Sequence, residues 1–408
     1  MRILTFISFA CLIGSTISEA STNVAHNEVI KVMEEAIKES DLPSVVAVAI
    51  NSKGHRIEYA YGGVSWGKSE PVKTSSLFRI HSMTKIVTSI AAMQLVDQEK
   101  VELDQDLSEL LPEMAEIPIL KEDGKLVKPK NEITLRHLLT HTAGFGYPNG
   151  TYKLYGKFDS LKWGYQDFPR QFESGTQFLY GTNTDWVGKL IEKISGMTLE
   201  QYFKKKIFKP LGIKSTYFNV PKKDLNRIVS MGNRGLDGKG QLKEINGDEV
   251  SPSRYPKEKV NNFSGGDGLF STPSDFTKIL ECILNFGAHK NGKLLKKKTV
   301  ELMMQNHIGD IILNPKEWYY DPATCCNFNG IMDGSSKWGL ATLIDNTPKI
   351  YGRSKGTLVW GGYRNTYFYI DLKSGIAASI YSQHLPFNHP ATISLFEKFS
   401  EAFYKNFK

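Results

Sequence analysis

Leu77-Phe78-Arg79-Ile80-His81-Ser82-Met83-Thr84-Lys85 runs straight into Ile86, Val87, Ile90, Ala91 and Met93. The apolar residues recur at helical spacing, which predicts a helix opening directly after Ser82. Residues three apart share a helix face, so the Lys85 amine can reach the Ser82 hydroxyl. A serine at a helix N-terminus also has unpaired backbone N–H groups beside it, where an oxyanion would develop. A lysine serving as base must be partly neutral, so burial is expected to depress its pKa. Alone, S-x-x-K is a weak pattern whose ordinary reading is a helix cap with a solvated lysine.

A second serine competes. Gly63-Val64-Ser65-Trp66-Gly67 matches the G-x-S-x-G elbow, and Ser65 also forms S-x-x-K with Lys68. The elbow needs a helix immediately after its serine. Here Ser69, Glu70, Pro71, Val72 and Lys73 follow, which is loop chemistry. Ser82 is therefore the better nucleophile.

The rest of the 408 residues sets bounds. With 40% hydrophobic and 23% charged residues, the composition is that of a globular protein and excludes a disordered tail, a collagen-like repeat or a coiled-coil rod. Arg2, the apolar run Ile3–Ile13 and the small residues Ser18 and Ala20 form the pattern of a signal peptide over residues 1–20, predicting an exported protein, secreted or periplasmic. No later segment has the length and polarity of a membrane span. The net charge of +8 is diffuse. Its lysine triplets, Lys204–Lys206 and Lys296–Lys298, are expected near helix ends, where they suit the helix dipole or simply face water, and nothing in their spacing points to nucleic acid. Without Cys11, three cysteines remain: Cys282, Cys325 and Cys326, an odd number that leaves at least one thiol free or paired between chains. Asn149 and Asn262 begin glycosylation sequons.

The elements read as mixed α and β. Val29, Ile30, Met33, Ala36 and Ile37 predict a helix ending near Pro43. Ser44–Ile50 and Arg56–Tyr61 read as a hairpin turning at Asn51–Gly54. Helices follow: one capped by Thr134, one from Trp186 to Ile194 stopped by Gly196, one with a Thr198/Gln201 capping box, and one starting at Thr272-Pro273. Strands return at Trp338–Ile344, Thr366–Asp371 and Ile376–Ser382, and a final helix carries Ile393, Leu395, Phe396, Phe399 and Phe403. This predicts an α/β (α+β) fold: an antiparallel sheet built from residues 21–78 and 336–408 and flanked by helices. A mainly helical region, 79–335, is inserted into it, and together they form one catalytic domain.

The stretch around Ser82, continued through Ala91-Ala92-Met93-Gln94-Leu95-Val96 and Leu103-Asp104, resembles the serine β-lactamase-like superfamily. That superfamily includes class C β-lactamases, family VIII carboxylesterases and the fungal acyltransferases of statin biosynthesis. Ile133–Phe145, Gly265–Pro273 and Trp360-Gly361-Gly362 are also similar to it, in the right order across nearly the whole chain. The resemblance implies a β-lactamase/transpeptidase-like fold, with Ser82 as acylated nucleophile and Lys85 as its general-base partner. It implies that Tyr180, in Phe178-Leu179-Tyr180-Gly181-Thr182, shuttles protons with Lys85 as the nearby cation. It places Trp360-Gly361-Gly362 on an edge strand, where the N–H of Tyr363 pairs with that of Ser82 as the oxyanion hole. Thr182, Trp360, Gly361 and Gly362 would face substrate. No cofactor is implied, and the partner is a small-molecule ester or acyl substrate.

Two departures set the expected chemistry. β-Lactamases of this class carry asparagine where Thr182 stands, and lysine or histidine where Trp360 stands. The lost side chains bind an amide and a carboxylate, and tryptophan offers an apolar wall instead. Ester or thioester chemistry is therefore favoured over a β-lactamase or D-alanyl peptidase; the other alternative is a non-catalytic binding or assembly module on the same fold, against which the intact Ser82, Lys85 and Tyr180 argue. His137 and His141 lie four apart, but the glutamate of H-E-x-x-H is missing and no third ligand is evident, so they read as scaffold and not metal ligands.

Overall fold

The computed structural model describes residues 8–67, 69–147, 168–235, 239–245, 259–313 and 334–408. Helix α1 (Ser8–Lys38) precedes a hairpin of β1 (Ser44–Asn51) and β2 (Arg56–Gly62). Asn51 makes that turn: its side-chain oxygen accepts from the N–H groups of Lys53 and His55, each at 3.0 Å. The C-terminal part supplies β3 (Lys337–Trp338), β4 (Leu343–Asp345), β5 (Thr357–Gly362), β6 (Thr366–Asp371) and β7 (Ile376–Tyr381). All seven strands form one antiparallel sheet in the order β3-β4-β5-β6-β7-β1-β2. The two ends of the chain meet where β1 pairs with β7, Val48 opposite Ser379.

Helices cover both faces of this sheet. Successive strand residues point to opposite sides. Phe368 meets Phe276 of α6 (Pro273–Leu284), while Tyr369 meets Phe396 and Tyr404 of the terminal helix α8 (Pro390–Phe407). Every residue of β1 is buried, as a strand sandwiched on both faces requires. The buried stripe Val29, Met33, Ala36 and Ile37 packs α1 alongside α8.

The inserted region is built around α2 (Thr84–Asp97). Its residues from Thr84 to Leu95 are all buried, the pattern of a central helix rather than a surface one. It packs on α4 (Asn183–Ser195) and α5 (Leu199–Phe203). Thr134 caps the short α3 (Leu135–Leu139), Gly196 ends α4 in the left-handed conformation (φ 65°), Thr198 and Gln201 form their capping box, and Thr272 caps α6.

Two sequence expectations change. Trp338–Ile344 is not one strand: the chain turns at Gly339, whose N–H reaches the Thr342 carbonyl at 2.9 Å, and β3 folds back on β4. Glycine is needed there because a Cβ would collide with the Met303 carbonyl. The strand carrying Trp360-Gly361-Gly362 lies inside the sheet, between β4 and β6, and not at its edge. However, the β5 residues that β4 pairs with are Thr357, Leu358 and Val359, so the far end of β5 projects beyond that ladder. The lysine triplets face water, the second of the two readings given for them: Lys204–Lys206 is exposed inside a continuing helical run, and Lys296–Lys298 is exposed at the start of α7 (Lys297–Met303), where the helix dipole gives cations no advantage.

Candidate active site

Ser82 sits half-buried in a 3-10 turn, His81–Met83, and α2 begins two residues later. Lys85 is 1% exposed. Its Nζ donates to Ser82 Oγ at 3.2 Å, to the Tyr147 hydroxyl at 2.9 Å and to the Gly266 carbonyl at 2.9 Å. These three bonds use all the hydrogens of an ammonium. The same Nζ lies 4.7 Å from the centre of the Tyr180 ring. Serine, lysine and two tyrosines are thus brought together.

The segment Gly265–Leu269 fixes the lysine. The Thr88 hydroxyl donates to the Gly265 carbonyl at 2.6 Å, and the Leu269 N–H donates to Thr84 Oγ1 at 3.2 Å. A Cβ on Gly266 would lie 2.6 Å from Asp185 Oδ2 and 3.3 Å from Lys85 Nζ. Glycine is what lets this backbone press against α2 and α4.

Burial works against the Lys85 ammonium, as expected from the sequence. Tyr147, Tyr180 and Asp185 nevertheless outweigh it and hold the amine above its ordinary range, contrary to the expected depression. Burial likewise pushes the Tyr147 phenol up. The resting pair is therefore an ammonium beside a neutral phenol, and it becomes basic only after losing one proton. Asp185 accepts from the Ser264 hydroxyl and from the Gly266 N–H at 3.2 Å. Burial raises its carboxyl, with the Lys85 charge opposing.

Tyr180 is 7% exposed and held from several sides. The Trp360 indole N–H donates to its hydroxyl at 3.0 Å, and the two rings are 4.8 Å apart. The His141 ring lies 4.5 Å from the Tyr180 ring, and Trp338 packs edge-on to Trp360 at 4.7 Å. His141 is buried; its Nδ1 accepts from Asn183 Nδ2 at 3.0 Å, and burial keeps its pKa well below the usual histidine range. His137 completes the capping box of α3. Among the described residues no cluster of three or more His, Cys, Asp or Glu side chains is arranged for a metal. Trp360 is only 5% exposed, so it orients Tyr180 rather than offering an open wall.

The end of β5 lies against the turn that holds Ser82. A Cβ on Gly362 would collide with the Ile80 carbonyl, and one on Gly361 would meet the Tyr367 ring at 2.6 Å. Tyr363 follows at 37% exposure, its ring edge-on to His81 at 5.9 Å. Thr182 is buried at the start of α4, and its side chain makes no capping bond. The neighbouring Asn183 turns inward to the Phe145 and Leu179 carbonyls.

Ser65 lies in a turn after β2 with no helix behind it, and Lys68 is outside the described residues. Asn262 is exposed; Asn149, Cys325 and Cys326 fall outside the described residues. Cys282 is a buried free thiol that burial pushes up to about 12. Sequence reasoning missed Tyr147, Asp185 and Asp267. A signal for the first was present in Gly144-Phe145-Gly146-Tyr147. A Cβ on Gly181 would collide with the backbone of Phe145 and Gly146, so the two glycines seat Tyr147 against Tyr180, rings 5.7 Å apart.

Comparison with known proteins gives the site a context. The sequence model of the family described as Beta-lactamase matches residues 29–397. Monacolin J acid methylbutanoyltransferase of Aspergillus terreus is 29% identical over 401 residues, covering 92% of this chain and 94% of its own. Lovastatin esterase of Penicillium rubens is 29% identical over 381 residues, covering 84% and 89%. The unliganded structure of simvastatin synthase from Aspergillus terreus superposes with a TM-score of 0.78 at 27% identity, covering 93% of this chain and 99% of the other.

Proposed function

Because the chain belongs to the Beta-lactamase family, we propose that it works through an acyl-enzyme on Ser82, and that it acts as an exported ester hydrolase or acyltransferase. The observation that carries this reading is the bridge made by Lys85 between Ser82 Oγ and the Tyr147 hydroxyl, with Tyr180 alongside. Ser82 Oγ attacks the ester carbonyl carbon, and its proton passes to the once-deprotonated lysine–tyrosine set. The tetrahedral oxyanion is met by the N–H groups of Ser82 and Tyr363 at the end of β5. The ester C–O bond breaks as Tyr180 protonates the leaving alcohol, and the proton now on the lysine refills Tyr180. Water or a second alcohol then attacks the acyl-serine by the reverse sequence.

The substrate class follows from the groups the site lacks. The Trp360 indole N–H is already given to Tyr180, and Thr182 carries no amide. Neither suits the carboxylate or amide of a β-lactam, so a neutral acyl ester fits better. The relatives act in the same sense by name, one moving a methylbutanoyl group and the other an esterase. A short branched acyl group on a bulky alcohol is the substrate class to try first.

The test is fluorophosphonate labelling with peptide mapping, on wild type and Ser82→Ala. Label on Ser82, lost in the variant together with p-nitrophenyl ester turnover, is the expected outcome. Labelling at Ser65 instead, or none in a folded protein, would sink the proposal. Cephalosporin hydrolysis faster than ester hydrolysis would favour the β-lactamase alternative.

A further inference from the structure

The residue immediately before Ser82 is held in an unusual way. His81 has φ 46°, in the left-handed region that side-chain-bearing residues seldom occupy. Its ring is 5% exposed, and among the described residues no polar partner meets Nε2. Its other nitrogen, Nδ1, lies 2.7 Å from Asp267 Oδ1. The second oxygen of Asp267 accepts from Arg79 Nη2 at 3.2 Å, and the Asp267 N–H donates to Ser264 Oγ at 3.0 Å. Burial lowers the His81 imidazole to about 4, with Asp267 opposing, so the ring is neutral at pH 7 and Nδ1–H donates to the carboxylate.

The same short segment serves both ends of the S-x-x-K turn. The Gly266 carbonyl holds Lys85, the Leu269 carbonyl accepts from the Ile80 N–H at 3.0 Å, and Asp267 between them grips His81. On the opposite side Gln383 accepts from the Arg79 N–H at 3.2 Å and donates to the Arg79 carbonyl at 2.9 Å. Left-handed backbone at a residue other than glycine persists only where its surroundings over-determine it.

We propose that Asp267 is a positioning residue: by gripping the His81 ring it holds the left-handed backbone that aims the N–H and hydroxyl of Ser82 at the acyl carbon. The proposal rests on Ser82 being the acylated residue. It acts on the rate of acylation and not on substrate affinity, because Asp267 reaches the serine only through His81. It also predicts a specific coupling. Glycine adopts left-handed backbone without support, so a chain with glycine at position 81 no longer needs the carboxylate.

The experiment measures single-turnover fluorophosphonate labelling of Ser82, and kcat and KM for a p-nitrophenyl ester. The variants are Asp267→Ala, Asp267→Asn, His81→Gly and the doubles. Asp267→Ala should lower labelling rate and kcat by about 10- to 100-fold, the scale of a misplaced reacting group, with KM within about twofold. Asp267→Asn keeps an acceptor and should restore most of the rate. In the His81→Gly background the Asp267→Ala loss should shrink to about threefold or less. An equal loss in both backgrounds, or labelling unaffected by Asp267→Ala, overturns the proposal. If the alanine variant does not fold, Asp267→Ser, whose hydroxyl is one bond too short to reach Nδ1, reads the same coupling with His81→Gly. Wild-type protein labelled elsewhere than Ser82 overturns the acyl-enzyme reading and this inference with it, whereas a Ser82 label indifferent to Asp267 overturns this inference alone.

Discussion

Gly362→Ala is the substitution that most directly tests the assignment of the oxyanion hole. The glycine closes β5, and its Cα faces the Ile80 carbonyl, two residues before Ser82. An added Cβ would sit well inside 3.0 Å of that oxygen, a separation real Cβ atoms essentially never show, whereas ordinary contact begins at 3.4 Å. Thr366 Oγ1 is also crowded, but a hydroxyl can rotate away. The carbonyl cannot: it accepts the Met83 N–H at 3.0 Å, and the Ile80 N–H is tied to Leu269. Strand and turn must part by roughly 1 Å, and a displacement of that size costs about 100-fold in rate. Effective loss of one oxyanion donor costs about 100- to 1,000-fold, or roughly 3–4 kcal/mol of transition-state stabilisation. Overpacking costs about 1–3 kcal/mol of folding stability, which an ordinary domain survives. The assay is kcat/KM for p-nitrophenyl esters beside a thermal melt. Gly334→Ala is the control, because among the described residues nothing lies within 4 Å of its added Cβ. A Gly362→Ala protein with a lowered melting temperature but kcat/KM within about threefold of wild type would refute the reasoning. Strand and turn would then have separated without harm, and Tyr363 could not supply an oxyanion donor.

Trp360→Phe keeps an aromatic ring against Trp338 but removes the N–H that Tyr180 accepts. Activity should fall about 10-fold, with stability changed by about 1 kcal/mol, as for one lost hydrogen bond; steady-state kinetics and a urea melt read both, and unchanged activity would mean Tyr180 needs no orienting. Asp185→Asn removes a charge that helps Lys85 keep its proton. The lysine pKa should fall, so the rising limb of kcat against pH should move to lower pH; a limb that stays put or moves up contradicts the resting ammonium. Acid should also destabilise the fold through its buried histidines. Burial lowers His81 to about 4 and His384 to about 3, while unfolded histidine titrates near 6.5. Below pH 6.5 the unfolded chain therefore binds more protons, and stability present above 6.5 is lost as pH falls toward 4 and then 3. Each such group contributes up to about 1.4 kcal/mol per pH unit, hence roughly 2 kcal/mol between pH 6.5 and 5. Urea melts at pH 7.5 and 5 with equal midpoints would contradict this.

The parts of the fold and site that could be read from sequence are those set by local chemistry. Helical periodicity around Ile86, Val87 and Ile90 placed Lys85 one turn from Ser82, and the distance of 3.2 Å follows from that spacing. Caps at Thr134, Thr198 and Thr272 marked helix starts, because side-chain acceptors act on N–H groups only three residues away. Contacts made across the chain were not legible. Tyr147 reaches Lys85 over 62 residues, and Asp267 reaches His81 over 186. No periodicity records such a pairing. The interior place of β5 was hidden for a related reason: β4 has three residues, too few to show an alternating pattern of its own.

The tryptophan at position 360 changes more than the shape of the pocket. With lysine or histidine there, a second cation would stand beside Tyr180 and favour its phenolate. The indole N–H of Trp360 donates a hydrogen bond but carries no charge, and Lys85 is the cation that contacts both Ser82 and the tyrosines among the described residues. Its proton is then shared with a second phenol, Tyr147, at 2.9 Å. Two phenols around one ammonium can pass a proton on without a second positive charge. The same substitution removes the cation that would pair with a substrate carboxylate at that position. The absence of an anion-binding group at that position and the uncharged hydrogen bond to Tyr180 thus follow from one residue, and both fit the neutral ester substrate proposed above.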